Sequence, residues 1–162
     1  MNVQPVSSAL DEEIARAELY GLLARLWYGA PDAELLSAFS VAATQAPTEG
    51  AFLEEPWRQL VGAAGERSED ELRAEYDALF GGMGKPEIYL FGSHYLSGFL
   101  NDKPLAKLRG DLARLGLARD DSIGETEDHL ACLFEVMRYL IAGDDVTVAN
   151  LTQQQAFFAD HL

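Results

Sequence analysis

The stretch SIGETEDHLACLFEVMRYLIA, residues 122–142, admits one local structure over most of its length. Leu130, Leu133, Phe134, Met137, Leu140 and Ile141 fall at offsets of 0, 3, 4, 7, 10 and 11, a single apolar stripe at the period of an α-helix. A strand would scatter the same side chains over both of its faces. The stripe has to be buried against other elements, so the helix is predicted to be core. Thr126 reads as its N-cap, with Glu127 and Asp128 in a first turn where the helix dipole favours negative charge. Gly143 reads as the glycine that ends it. Asp128 and His129 are then polar groups delivered at the mouth of a core helix.

The rest of the chain can be read around this helix. Residues 1–8 read as disordered. From Asp11 to Tyr28 the pattern is helical, with Ile14, Ala17, Gly21, Leu22 and Leu26 on one side. Leu19, Tyr20, Leu23 and Trp27 widen that surface, as in a helix buried between others. Pro31-Asp32 starts a second helix carrying Leu35, Leu36, Phe39 and Ala43, and residues 44–50 read as turn. A short helix from about Glu54 carries Trp57, Leu60, Val61 and Ala64 to Gly65. Ser68 with Glu71 three residues on is a capping box, and Leu72, Tyr76, Leu79 and Phe80 share one face behind it.

The run GGMGKP, residues 81–86, is the strongest break in the chain. The aromatic-rich stretch after it resembles a strand, but no partner strand is in sight, and a lone strand leaves its backbone unsatisfied. Residues 81–92 are therefore expected to form an ordered loop or hinge, and 93–100 a short helix. Pro104, after Asp102, opens a helix with Leu105, Leu108, Leu112 and Leu115 on one face and Gly116 at its end. A last helix, from about Val146, is apolar on two sides: Val146, Ala149, Ala156 and Phe157 on one, Leu151, Phe158 and Leu162 on the other. The expected architecture is all-α: one domain over residues 1–162, a bundle of about six to eight helices with one glycine-rich hinge.

Charge narrows the partners. A net charge of −15 repels nucleic acid and anionic membranes and favours basic ligands. Cys132 is the only cysteine, so no internal disulfide forms, which points to a reducing compartment. The first residues lack the basic and apolar regions of a secretory signal, and no apolar run reaches the ~18 residues of a membrane span. A cytoplasmic location is expected.

Two places draw functional attention. Glu125, Glu127, Asp128 and His129 include metal-ligand types, and Cys132 lies three residues on, but His94 and His161 stand alone in the sequence. No nucleophile points to an acid–base pair, and the plain alternative is a set of acids capping a helix with His129 bonded to the backbone. In the second place, Tyr89, Phe91, Tyr95 and Phe99 lie within eleven residues beside glycines. They read either as core or as an apolar groove for a hydrophobic peptide. The glycine run is not a phosphate loop, because Lys85 is followed by Pro86 and no strand precedes it.

Tyr76-Asp77-Ala78-Leu79-Phe80 before a glycine, the loop with Pro86, Gly92-Ser93-His94-Tyr95-Leu96, and Glu125-Thr126-Glu127-Asp128-His129-Leu130 together resemble the TorD/DmsD/NarJ family of molybdoenzyme chaperones. The resemblance spans residue 11 to the end. It implies an all-helical chaperone, not an enzyme, without a cofactor or metal of its own. Its partner would be a molybdoenzyme catalytic subunit, whose N-terminal, often twin-arginine, signal is held until the cofactor is inserted. The positions matching the family's peptide-binding residues are Tyr76, Leu79, Phe80, Pro86, Phe91, Ser93, Tyr95, Asp128 and His129. A NarJ-like factor for a client without an exported signal is the alternative, and a helical metal protein or enzyme using His129 is the rival from another class.

Thr126 stands where the family usually has proline, and members generally continue beyond the residues matching His161-Leu162. The resemblance therefore leads one to expect a covered last helix, through a homodimer or domain-swapped dimer, or a more open groove.

Overall fold

The helical periodicities become eight α-helices in a computed structural model that describes residues 7–42, 53–81, 85–100 and 102–162. They are α1 (Ser7–Tyr28), α2 (Ala33–Ala42), α3 (Glu54–Gly65), α4 (Glu69–Phe80), α5 (Gly92–Ser97), α6 (Lys103–Arg114), α7 (Leu130–Ala142) and α8 (Leu151–His161). The chain is all-α. Among the described residues the only extended pairing outside helices is one isolated antiparallel bridge, Phe91 with His129. Residues 44–50 and much of the glycine run, 82–84, lie outside the described residues, as do 1–6 of the stretch expected to be disordered. Ser7 and Ser8 belong to α1, which starts four residues earlier than the apolar pattern indicates.

The helices fall into two compact units, one of residues 1–28 and 89–162, the other of residues 29–88. In the first, α1 packs along α7, α8 packs on α7, and α5 meets α6. Its core joins Leu105, Leu108 and Leu112 of α6 to Leu133, Met137 and Leu140 of α7 and Phe157 of α8. Each such side chain contributes about 1.5–3 kcal/mol on burial. α1 presents Ala17 and Ala24 as its buried residues, with Gly21 between them. A Cβ on Gly21 would stand 3.0 Å from Arg138 Cδ, so the small residue is what admits the α7 side chain there. The expectation that α1 is buried all round is corrected: Ile14 and Tyr28 are about half exposed. Arg16 of α1 donates to Gln154 Oε1 (3.1 Å), and the buried Gln154 donates through Nε2 to Leu140 O (3.1 Å), tying α1, α7 and α8 together.

In the second unit α2 packs on α3, with Leu35, Phe39 and Val61 buried and the rings of Phe39 and Trp57 6.2 Å apart, edge to face. Asp32 starts α2 by accepting the Leu35 N–H (2.8 Å). Ser68 and Glu71 form the expected capping box at α4, where the Glu71 side chain accepts the Ser68 N–H at 2.9 Å. After α4 the backbone turns back, and Ile88 N–H bonds Leu79 O (2.9 Å).

Other helix ends also differ from the sequence reading: the short helix expected over 93–100 is α5, Gly92–Ser97, which stops three residues early at the left-handed Gly98. α7 begins at Leu130 with His129 as N-cap, so Thr126 is not the cap and Glu127 and Asp128 precede the helix. Gly143 does end α7, but at φ −68° rather than in a left-handed turn. Glycine is needed there because a Cβ would meet Tyr139 O at 2.7 Å. α8 starts only at Leu151, because Asp145 folds residues 145–147 into a turn by accepting the N–H (2.9 Å) and hydroxyl (2.6 Å) of Thr147. Asn150 then caps the helix by accepting the Gln153 N–H (3.1 Å).

Candidate functional site

The turn before α7 and the start of α5 are stitched together residue by residue. Leu130 N–H bonds Leu90 O (2.8 Å) and Gly92 N–H bonds Asp128 O (2.9 Å), the two rungs of the single bridge. The aromatic stretch therefore does have a backbone partner, contrary to the sequence reading. The partner is the turn from Thr126 to His129, closed by the His129 N–H on Thr126 O (2.9 Å), with no strand signature of its own.

Asp128 completes the stitch. Its Oδ2 accepts the Ser93 N–H (2.9 Å), capping the first turn of α5, and its Oδ1 accepts the Thr126 hydroxyl (2.6 Å). Thr126 thus supplies a bond that proline, the residue the resemblance leads one to expect there, has no group to make. Ser93 is fully buried and Asp128 is 3% exposed. Burial alone would raise the Asp128 pKa, but hydrogen bonds from Ser93 and Thr126 outweigh it and hold the carboxyl below its ordinary value. Glu127 shows the same balance of burial, which raises its pKa, against hydrogen bonding that lowers it. Here the ion pair with Arg109 (2.9 Å) leaves the net shift downward.

His129 works on the other side of the turn. Its Nδ1 accepts the Ala131 N–H (3.2 Å), which fixes the hydrogen of the neutral ring on Nε2. The ring stands edge-on to Phe91 (5.1 Å) and Tyr28 (6.1 Å). Burial lowers its pKa below 6.5, against the opposing charges of Glu125 and Asp128. Because the unfolded chain takes up this proton first, the stability is full above pH 6.5 and falls as the pH drops below it. Urea midpoints should therefore be lower at pH 5.5 than at pH 7.5. His129→Asn, which keeps an N-cap acceptor without the titration, should flatten that slope. His161, whose pKa is also lowered by burial, leaves a residual dependence of the same sign.

With Asp128 and His129 turned inward, the outward surface belongs to α5 and the turn after it. Tyr95 (66% exposed), Leu96 (67%), Phe99 (72%) and Leu100 form a run of exposed apolar side chains. Gly98, at φ 80°, makes the left-handed turn that separates the two pairs. Tyr89 stacks on His94 with ring centres 4.2 Å apart. Of the residues picked out in the sequence, Phe91, Ser93, Tyr95, Asp128 and His129 are gathered in this one unit. Only Tyr95 among them is exposed. Tyr76, Leu79, Phe80 and Pro86 are half-buried in the other unit, where the rings of Tyr76 and Phe80 lie 5.0 Å apart.

The sequence reading missed Leu96 and Leu100, whose exposure depends on α5 ending at Ser97. It also missed the grouping of Asp111, Asp160 and His161, which come together from α6 and α8. The rival use of His129 as a general base or metal ligand is poorly supported, since Nδ1 is occupied by a backbone N–H and the ring lies among aromatics.

Comparison with protein families matches residues 48–162 to the family described as nitrate reductase delta subunit. No curated protein and no solved structure matches the chain. Among the described residues no helix is long and apolar enough to cross a membrane.

Proposed function

The chain belongs to the nitrate reductase delta subunit family, whose members are maturation chaperones of molybdoenzymes and not catalysts, and we propose that it binds the N-terminal segment of one such apo-enzyme before its cofactor is inserted. The observation that carries this reading is the exposed run Tyr95, Leu96, Phe99 and Leu100, beside a turn locked by Asp128, on a chain of net charge −15. A leader of the twin-arginine type is basic at one end and apolar along its middle, so it complements both properties. The apolar contacts set the affinity: a buried side chain of this size contributes about 1.5–3 kcal/mol, against about 0–1 for an exposed ion pair. Three or four of them reach micromolar binding, roughly −8 kcal/mol, after the cost of association. The acids steer and orient the basic end. Tyr76, Leu79, Phe80 and Pro86 are proposed contacts within their own unit. The work would take place in the cytoplasm, and a homodimer through the exposed Leu151 and Phe158 of α8 and Leu162 after it belongs to the same proposal.

Calorimetric titration with a leader peptide of the client tests it. Tyr95→Ser with Phe99→Ser should weaken binding by at least about tenfold without loss of stability, since both residues are exposed. Phe80→Ala should weaken it more than Asp128→Asn, measured on the folded fraction. Unchanged affinity in the Tyr95/Phe99 variant would remove the α5 surface from the site. The alternative reading is an assembly factor for a client with no exported signal. Equal affinity for the Arg-Arg leader and its Lys-Lys version would select that reading.

A further inference from the structure

A second cluster of chemistry lies where the C-terminal ends of α6 and α8 meet. Asp111 stands in the last turn of α6, and Asp160 and His161 in the last turn of α8. Each of the three offers one ligand atom, and these atoms all lie within 4.8 Å of one another. His161 Nε2 is 2.8 Å from Asp111 Oδ2, and both side chains are largely buried, at 5% and 12% exposure. Beside them is an open cavity of about 240 Å³, lined also by Leu115, Gln153, Ala156 and Phe157. Two helix C-termini converge here, each carrying the negative end of its dipole, so the place favours a cation.

We propose that Asp111, Asp160 and His161 form a binding site for a divalent transition ion of the zinc class, with Lys107 as its internal competitor. Two carboxylate oxygens and one imidazole nitrogen make a three-ligand set for Zn²⁺, with bonds of about 2.0–2.2 Å. Tetrahedral geometry then needs neighbouring ligand atoms roughly 3.3–3.5 Å apart, so the Asp111–His161 pair, now 2.8 Å apart, has to open by about half an ångström while the exposed Asp160 side chain rotates into place. The cavity has room for a water to complete the fourth position. Hard cations such as Mg²⁺ do not prefer imidazole, and the site lacks the six or more oxygens of Ca²⁺.

The present cation is the ammonium of Lys107, 2.7 Å from Asp160 Oδ2 and 3.2 Å from Asp111 Oδ2. Arg114 pairs with the other oxygen of Asp111 and leaves Oδ2 to the site. Lys107 is 55% exposed, so its head swings into solvent when an ion takes its place. On binding, the His161 ring gives up its Nε2 hydrogen, carrying its proton on Nδ1 instead, and stays neutral.

The test is Zn²⁺ titration of the full chain against a chromophoric chelator, with Co²⁺ as a spectroscopic substitute. The wild type should take up one ion. Asp160→Asn, a change at an exposed side chain, and His161→Ala should each weaken that uptake by about tenfold or more. Lys107→Met should strengthen it several-fold, because the competing ammonium is gone. The Co²⁺ complex should show the intense visible bands of a four-coordinate site, lost in His161→Ala. Far-ultraviolet circular dichroism checks that each variant is folded. Absence of one-to-one uptake in both the wild type and Lys107→Met, or uptake indifferent to Asp160→Asn, would overturn the proposal.

Discussion

Asp128→Ala should lower the unfolding free energy by about 2–4 kcal/mol, the largest loss expected from any single polar side chain in the described structure. The carboxylate takes two hydrogen bonds, from the Ser93 N–H and the Thr126 hydroxyl, in a place only 3% exposed. Bonds to a charged acceptor contribute about 1.5–3 kcal/mol each. Alanine removes the carboxylate that accepts the Ser93 N–H in the first turn of α5, and burial keeps water from replacing it. Asparagine keeps the shape and one acceptor, so it should cost less, about 1–2 kcal/mol. Acid should erase part of the difference. The folded carboxyl titrates below its ordinary value of 3.8, so its contribution is present above that value and is lost as the pH falls through the folded one. Urea unfolding of wild type and Asp128→Ala at pH 7 and pH 3 measures both statements. The same experiment separates two roles for this residue. A variant as stable as wild type that no longer binds leader peptide would mean that Asp128 acts on the ligand and not on the turn.

Leu140→Ala should cost about 2–5 kcal/mol and lower the melting temperature by roughly 6–15 °C. Leu140 has no exposed surface at all, and it belongs to the cluster in which α6, α7 and α8 meet. Its neighbours Leu108 and Met137 are each 2% exposed, so they have little freedom to close over the void. Its carbonyl also accepts the buried Gln154 amide, which ties the backbone in place and limits collapse further. Thermal and urea unfolding of the variant check the figure. A loss below about 1 kcal/mol would mean that the core repacks around the hole.

How far these effects could be foreseen differs between the two residues. Leu140 was legible, since its place in the stripe with Leu133 and Met137 follows from helical period alone, and all three are buried. The capping box of Ser68 and the end of α6 at Gly116, with φ 71°, were legible for the same reason: they depend on residues a few positions apart. Asp128 was visible as a polar group at the mouth of α7, but its direction was not. The partner that turns it inward is Ser93, 35 residues away. Without that contact Thr126 looks like a helix cap, whereas with it Thr126 donates to Asp128 and His129 becomes the cap.

The proposed peptide surface divides in the same way. Aromatic residues between glycines were evident in the sequence, but core and groove are spelled with the same letters. Only the packing of α5 shows that Ser93 faces in while Tyr95, Leu96 and Phe99 face out. The cluster of Asp111, Asp160 and His161 left no trace in the sequence, because its two segments lie some fifty residues apart and each has an ordinary helical composition.

What the sequence by itself determined is therefore the set of helices, most of their apolar faces and the acidic character of the surface, all of which rest on interactions within one or two turns or on simple summation of charge. Tertiary structure alone decided which polar groups are used up inside and which apolar groups are left outside. That choice depends on which distant backbone N–H or carboxylate comes within about 3 Å, a distance that local periodicity does not encode.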